Sequence, residues 1–182
     1  MITTLGAARL IQQGSVVAYP TDAVWGLGCD PQDQAAVLQI LALKQRPVEK
    51  GLILIAANLE QLLPYLHHSI TQQQSQLLLN AERPTTWLVP CNPEHTPEWI
   101  CGAHELLAVR ISEHPTVQQL ALACGFPIVS TSANPQGLPA AKSALEVQRY
   151  FGDDLPICEG QCGNADRPST IRNLLTGEVL RE

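Results

Sequence analysis

Residues 16–30 read VVAYPTDAVWGLGCD. Val16 to Tyr19 is a short β-prone run that stops at Pro20, whose ring fixes φ and holds the preceding residue extended, so a strand ends there and Thr21 and Asp22 emerge at its end. Gly26 and Gly28 follow, and a residue without a Cβ lets a ligand approach the backbone closely. The same stretch also serves as a plain turn that packs Trp25 into a core, and the segment alone leaves both readings open. It is not a phosphate loop of the G-x-x-x-x-G-K-[ST] kind, and no such loop occurs elsewhere in the chain.

Upstream, Leu5, Ala8, Leu10 and Ile11 recur at helical spacing over residues 4–13, with Gly14 as the stop. Downstream, Asp33 caps a helix over Ala35 to Lys44 whose buried stripe is Val37, Ile40 and Leu41, and Lys44 and Arg46 sit at its exit. Leu52 to Ala57 is a buried strand followed by two helical stretches, the second opened by a Thr71/Gln74 capping box. Further strands are expected over Thr86–Val89, Leu106–Ile111 and Pro127–Ser130. A helix from Pro115 to Ala123 begins at a His114 cap, and a second capping box is expected from Ser143 and Glu146. Leu174 to Leu180 reads as a hairpin around Thr176-Gly177. Strands and helices intermix without repeats or heptads, which predicts an α/β fold: a mixed parallel/antiparallel sheet with flanking helices, in a single domain over residues 1–182.

Composition narrows the class. Hydrophobic residues make up 45% and charged residues 15% of 182, as in ordinary globular chains and unlike disordered ones. The N-terminus lacks the charged start and apolar run of a secretory signal and no stretch approaches a membrane span, so a cytoplasmic protein is expected. Its six cysteines are expected to be reduced, and Cys158 and Cys162, with three residues between them and no second pair, do not make a zinc site. A net charge of −6 excludes a broadly basic nucleic-acid surface, so any RNA contact is local. Two of the three lysines, Lys44 and Lys50, nevertheless flank Arg46 within seven residues.

Four segments carry candidate chemistry. KQRPVEK (44–50) offers a planar guanidinium fork and two point charges to an anion such as a triphosphate; a solvated basic helix end is the plain alternative. PIVSTSAN (127–134) runs from a buried strand into Ser130, Thr131, Ser132 and Asn134, whose hydroxyls, amide and turn N–H groups can cradle an anion, or simply make a turn. Arg110 interrupts an apolar strand and needs a partner, a ligand or a structural carboxylate. PSTIR (168–172) supplies Ser169 and Thr170; an ordinary turn after proline, with Arg172 on a solvent-facing edge, is the plain alternative. No Gly-x-Ser-x-Gly elbow or His-Glu-x-x-His occurs, and His67-His68 reads as surface.

Taken in order, AYPTDAVWGLGCD, KQR, RPTTWLVP, AVRISEHP, STSAN and PSTIR resemble the blocks of the YrdC-like family, and of its short bacterial members in particular, from Ala18 to Arg172. The resemblance implies a twisted mixed sheet with a concave, positively lined face. It implies an enzyme that makes L-threonylcarbamoyladenylate and pyrophosphate from L-threonine, bicarbonate and ATP, with Mg2+ accompanying the ATP, for threonylcarbamoyladenosine in tRNA. Lys44, Arg46, Ser132 and Asn134 would then serve ATP, Lys44 and Arg46 in the chemistry itself, while Thr21, Arg110 and Ser169 would hold threonine. Implied partners are tRNA or double-stranded RNA and a downstream threonylcarbamoyl transferase complex (TsaB, TsaD and TsaE), with no membrane.

Two departures from the family pattern bear on loop geometry: Ala81-Glu82-Arg83-Pro84 replaces a frequent Pro-Gly-Pro turn, and Gly51 stands where longer members often carry proline. Longer relatives also carry a C-terminal domain, which is not expected here. Two rival functions differ in class. A non-catalytic RNA-binding or ribosome-assembly module would bind with steep salt dependence and ignore threonine. Carbamoyl adenylate chemistry from carbamoyl phosphate, as in a related domain of hydrogenase-maturation proteins, would differ in its carbamoyl donor.

Overall fold

Local signals start most of the helices. In the computed structural model, which describes residues 1–81, 83–165 and 168–181, Thr3 caps α1 (Thr4–Gln12) by accepting from the Gly6 N–H at 3.1 Å. Asp33 caps α2 (Gln34–Lys44) through the Ala36 N–H, 3.0 Å away. Thr71 and Gln74 form the full reciprocal box that opens α4 (Gln72–Leu79). Proline opens α6 (Pro115–Cys124) after His114, where a missing N–H costs nothing. Two single-turn helices, α3 (Leu59–Leu62) and α5 (Glu98–Cys101), and α7 (Ala144–Phe151) complete the α-helices among the described residues, beside 3-10 turns at Val48–Lys50 and Leu63–Tyr65. None of them is long and apolar enough to cross a membrane. Glu82, part of the 81–84 departure, lies outside the described residues.

The strands are β1 (Val17–Pro20), β2 (Trp25–Gly28), β3 (Ile53–Ala56), β4 (Thr85–Pro90), β5 (Leu106–Ile111), β6 (Ile128–Ser132), β7 (Thr170–Asn173) and β8 (Val179–Arg181). They form one sheet in the order β1-β2-β6-β3-β5-β4-β7-β8, parallel at β3/β5 and β4/β7 and antiparallel elsewhere. The expected mixed α/β sheet is therefore present.

Side-chain alternation divides the core between the two faces. Along β1, Val17 and Tyr19 join α1 and α6 through Ala7, Ile11, Val117 and Leu120. Ala18 points into the larger cluster with Val37, Ile40 and Leu41 of α2. Leu54 and Ile55 of β3, and Val129 and Ile128 of β6, split between the clusters in the same way.

Four local expectations are corrected. The strand expected to end at Ser130 runs on, so Thr131 and Ser132 do not follow a strand end but belong to β6, paired to Leu27 and Gly26. The hairpin's first arm is Thr170–Asn173, so Leu174 to Glu178 form its loop; the Asn173 side chain accepts from the Leu175 and Thr176 N–H groups and fixes it. Arg172 is not on an edge, because β7 lies between β4 and β8, and its guanidinium sits 5.5 Å above the Trp87 ring. Ser143 accepts from the Glu146 N–H, but the Glu146 carboxylate takes the Lys142 N–H rather than closing the box.

The two glycines of β2 have different reasons. A Cβ on Gly28 would lie 2.6 Å from the Val129 carbonyl oxygen and 2.6 Å from Tyr19 Cε1, whereas one on Gly26 would meet nothing nearer than 3.4 Å. Gly28→Ala should therefore cost about 1–3 kcal/mol of overpacking strain, and Gly26→Ala clearly less. Urea unfolding of the two variants checks this, and equal losses would contradict it.

Candidate active site

One cavity of about 730 Å³ opens on the sheet, and alternation decides which side chains reach it. On β5, Leu106, Ala108 and Arg110 line it, while Leu107 and Val109 between them are fully buried in the core behind. Ser130 to Ser132 of β6, the Thr21–Gly26 turn between β1 and β2, the segment from Arg46 to Ile53, and Ser169 beside β7 form further walls. Of the residues singled out from sequence, Thr21, Arg46, Arg110, Ser132 and Ser169 line this space; Lys44 and Asn134 do not.

Lys44 is only 5% exposed and lies behind the wall. Its Nζ donates to the Ser132 carbonyl, to the Asn134 carbonyl at 3.0 Å and to Asn134 Oδ1 at 3.2 Å. Asn134 Oδ1 also accepts from the Ser132 hydroxyl at 2.7 Å, and its Nδ2 donates to the Leu138 carbonyl at 2.7 Å. The lysine thus clamps the end of α2 to the end of β6. Burial, and the neighbouring Arg46 charge, push its pKa down to about 8.

Arg46 follows Gln45, whose left-handed backbone (φ 51°) ends α2. Its Nη2 donates to the carbonyls of Lys50 and Gly51 at 3.2 and 3.0 Å, which fixes the guanidinium plane, and burial lowers its pKa. Gly51 has φ 61°, a value closed to proline, so the departure at this position changes the turn itself.

Thr21 holds the β1–β2 turn by donating its hydroxyl to the Val24 carbonyl at 2.8 Å. Asp22, next along, forms an ion pair with Arg110, the partner that the apolar strand demanded. Burial lowers the Arg110 pKa, opposed by Asp22 and Tyr19 and reinforced by Arg181. Ser169 is 7% exposed and shares a 2.8 Å hydrogen bond with the Thr86 hydroxyl. Its carbonyl accepts from Arg181 Nη2 at 2.7 Å.

Arg181 and Asp22 are cavity residues that the sequence did not single out as site residues. Arg181 stands in no motif; its place follows from its pairing with Ile171, which only the β7–β8 register supplies. Cations at the cavity are Arg46, Lys50, Arg110 and Arg181, against the carboxylates Asp22 and Glu105. In a chain of net charge −6 this local excess suits a polyanion together with a small carboxylate. Among the described residues no three His, Cys, Asp or Glu side chains are grouped to hold a metal ion, and the six cysteines are unpaired.

Comparison with known proteins matches this frame. The Sua5/YciO/YrdC family model, described as telomere recombination, matches residues 9–182. The threonylcarbamoyl-AMP synthase of Cellvibrio japonicus is 52% identical over 96% of this chain and 93% of its own length. The enzyme of the same name from Pseudomonas aeruginosa is 51% identical over 96% and 94%. Among solved structures, P. abyssi Sua5 complexed with L-threonine superposes with a TM-score of 0.85 at 31% identity over 93% of this chain; the chain spans 50% of that protein's length.

Lys44→Met should destabilise the fold by about 1.5–3 kcal/mol, because three acceptors lose a charged donor. The pH dependence has a defined sign. The lysine titrates near its ordinary 10.5 when unfolded and near 8 when folded, so between these values the unfolded chain holds more protons. Wild-type stability relative to Lys44→Met should accordingly be flat below about pH 8 and rise from there to about 10.5. Chemical unfolding across pH 7–11 measures both, and a falling difference would refute the assignment.

Proposed function

The chain belongs to the Sua5/YciO/YrdC family, and on that premise we propose that it is a threonylcarbamoyl-AMP synthase. As such it is a nucleotidyltransferase that converts L-threonine, bicarbonate and ATP into L-threonylcarbamoyladenylate and pyrophosphate, for threonylcarbamoyladenosine modification of tRNA. The observation that carries this reading is convergence: Thr21, Arg46, Arg110, Ser132 and Ser169, from five separate segments, line one cavity. Names borne by relatives about 50% identical over nearly the whole chain support it. Residues 1–182 are taken as one YrdC-like domain.

In this mechanism Arg46 and Lys50 meet the triphosphate, the guanidinium already oriented by two carbonyls. Ser132 adds a hydroxyl donor, and Lys44 with Asn134 holds that strand end in place from behind. Arg110 takes the threonine carboxylate, with Thr21 and Ser169 nearby. The deprotonated amine attacks the bicarbonate carbon and water leaves, giving a carbamate. A carbamate oxygen then attacks the α-phosphorus, the bond to the β-phosphate oxygen breaks, and pyrophosphate departs. Negative charge shifts towards the leaving group, where fixed cations help most.

Mg2+ enters as part of its ATP complex, held by phosphate oxygens, since among the described residues the cavity's carboxylates are Asp22 and Glu105. The product passes to a transferase complex of the TsaB, TsaD and TsaE kind in the cytoplasm. Contact with tRNA or double-stranded RNA is confined to the cationic cavity rim.

Pyrophosphate release should require threonine and bicarbonate together; release unchanged without threonine would overturn the assignment. Arg46→Ala should cut that release by roughly tenfold to over a hundredfold, the worth of a charge-assisted phosphate contact, and Ser132→Ala by less. Arg46→Ala should also cost about 1.5–3 kcal/mol of stability, since two carbonyls lose a charged donor, and Ser132→Ala about 0.5–1.5 kcal/mol, so release is compared on protein shown by its melting to be folded. RNA binding that falls steeply with salt and ignores threonine would instead favour a non-catalytic module.

A further inference from the structure

We infer that Asp22 receives the α-ammonium group of the amino-acid substrate while Arg110 beside it receives the carboxylate, so that the pair recognises a zwitterion. The inference deepens the synthase reading and rests on it.

A carboxylate is out of place in a cavity built for anions. ATP, bicarbonate, the carbamate and pyrophosphate are all negative, and four cationic side chains face them. Asp22 opposes every one of these ligands. Threonine is the one reactant that brings a positive group.

Neutralising Arg110 does not by itself account for the acid. A structural arginine–carboxylate pair gains most when the two groups meet as a fork, two N–H donors on two oxygens. Here one oxygen, Oδ2, takes both the Arg110 Nη2 donor and the Ser112 hydroxyl, the latter at 3.3 Å. Among the described residues neither Asp22 Oδ1 nor Arg110 Nη1 makes a hydrogen bond and neither is fully buried, whereas Arg110 Nε is buried beyond a ligand's reach. The side chains keep 19% and 11% of their exposure, and both line the cavity. Each partner therefore retains bonding capacity, negative on one side and positive on the other, spaced as a salt bridge. The two charged groups of an α-amino acid, one carbon apart, match that arrangement.

The acid is also held rigidly, as a recognition group must be. The Asp22 carbonyl accepts from the Ala165 N–H at 3.1 Å, and the preceding Thr21 carbonyl accepts from Gly163 at 3.0 Å. Gly163 crosses so closely that a Cβ there would lie 2.8 Å from the Asp22 carbonyl oxygen. The turn is pinned between the sheet and this crossing segment.

The test compares L-threonine with 3-hydroxybutyrate, the same skeleton without the amino group, by ligand titration into wild-type protein, Asp22→Asn and Asp22→Glu. Wild type should bind threonine at least about tenfold more tightly than the deamino compound. Asp22→Asn, nearly isosteric and still able to accept from Arg110 and Ser112, should weaken threonine by about tenfold to a hundredfold while 3-hydroxybutyrate and ATP bind no more weakly than to wild type. Asp22→Glu should restore part of the loss. Equal weakening of both compounds would mean that Asp22 acts only through Arg110, and unchanged threonine binding would mean that it has no role; either overturns the inference while the synthase reading stands. Absence of threonine binding by wild type would remove the synthase reading and this inference together.

Discussion

A single buried ammonium group ties the site together. Lys44 ends α2, and with 5% exposure it has little access to water; carbonyls of Ser132 and Asn134 and the Asn134 side chain take its place. Such a charge tolerates no loosening, because every lost acceptor leaves it less compensated in a poorly polar setting. The clamp thereby fixes two things at once. It sets where α2 stops, and so where Arg46 begins its turn, and it sets the end of β6, where Ser132 faces the cavity. Under the proposed synthase reading, handling of a triphosphate depends on distances between fixed donors, and this contact lies on the far side of the wall that carries them.

The second constraint is charge economy. The chain carries a net charge of −6 with eleven Lys and Arg, yet among the described residues four such side chains gather round one cavity. Like charges so placed repel, and three of the four are held in place by anchors. Arg46 donates to two carbonyls, Arg110 pairs with Asp22, and Arg181 donates to the Ser169 carbonyl. Lys50 alone is an exposed point charge at the rim. The anchors use backbone oxygens three times and a carboxylate once, so most of the positive potential remains available to a ligand.

Much of this could be read along the chain because it is local. Capping residues three positions from their targets at Asp33 and Thr71, Pro115 at a helix start, and short apolar runs at 52–57 and 106–111 act over a few residues, where spacing alone dictates geometry. The same holds for an arginine inside an apolar strand: burial of its neighbours forces a demand for a partner, whatever the fold. The misses are non-local. Thr131 and Ser132 look like a loop until Leu27 and Gly26 of β2 pair with them. Arg172 looks like an edge residue until β8 covers that side. The Ser143 box closes only halfway because Lys142 competes for Glu146.

The sequence by itself determined the element types, the presence of cations and hydroxyls with anion-binding chemistry, and, through its ordered blocks, the family. Those properties reside in residue type and short spacing. Which oxygens satisfy Lys44, which carboxylate meets Arg110, and whether Arg181 belongs to the site at all were decided by strand order and register. These join residues 88 positions apart for Lys44 and Ser132, and 88 for Arg110 and Asp22. No local propensity spans such a separation; only the burial of alternate side chains on two faces of one sheet sets it.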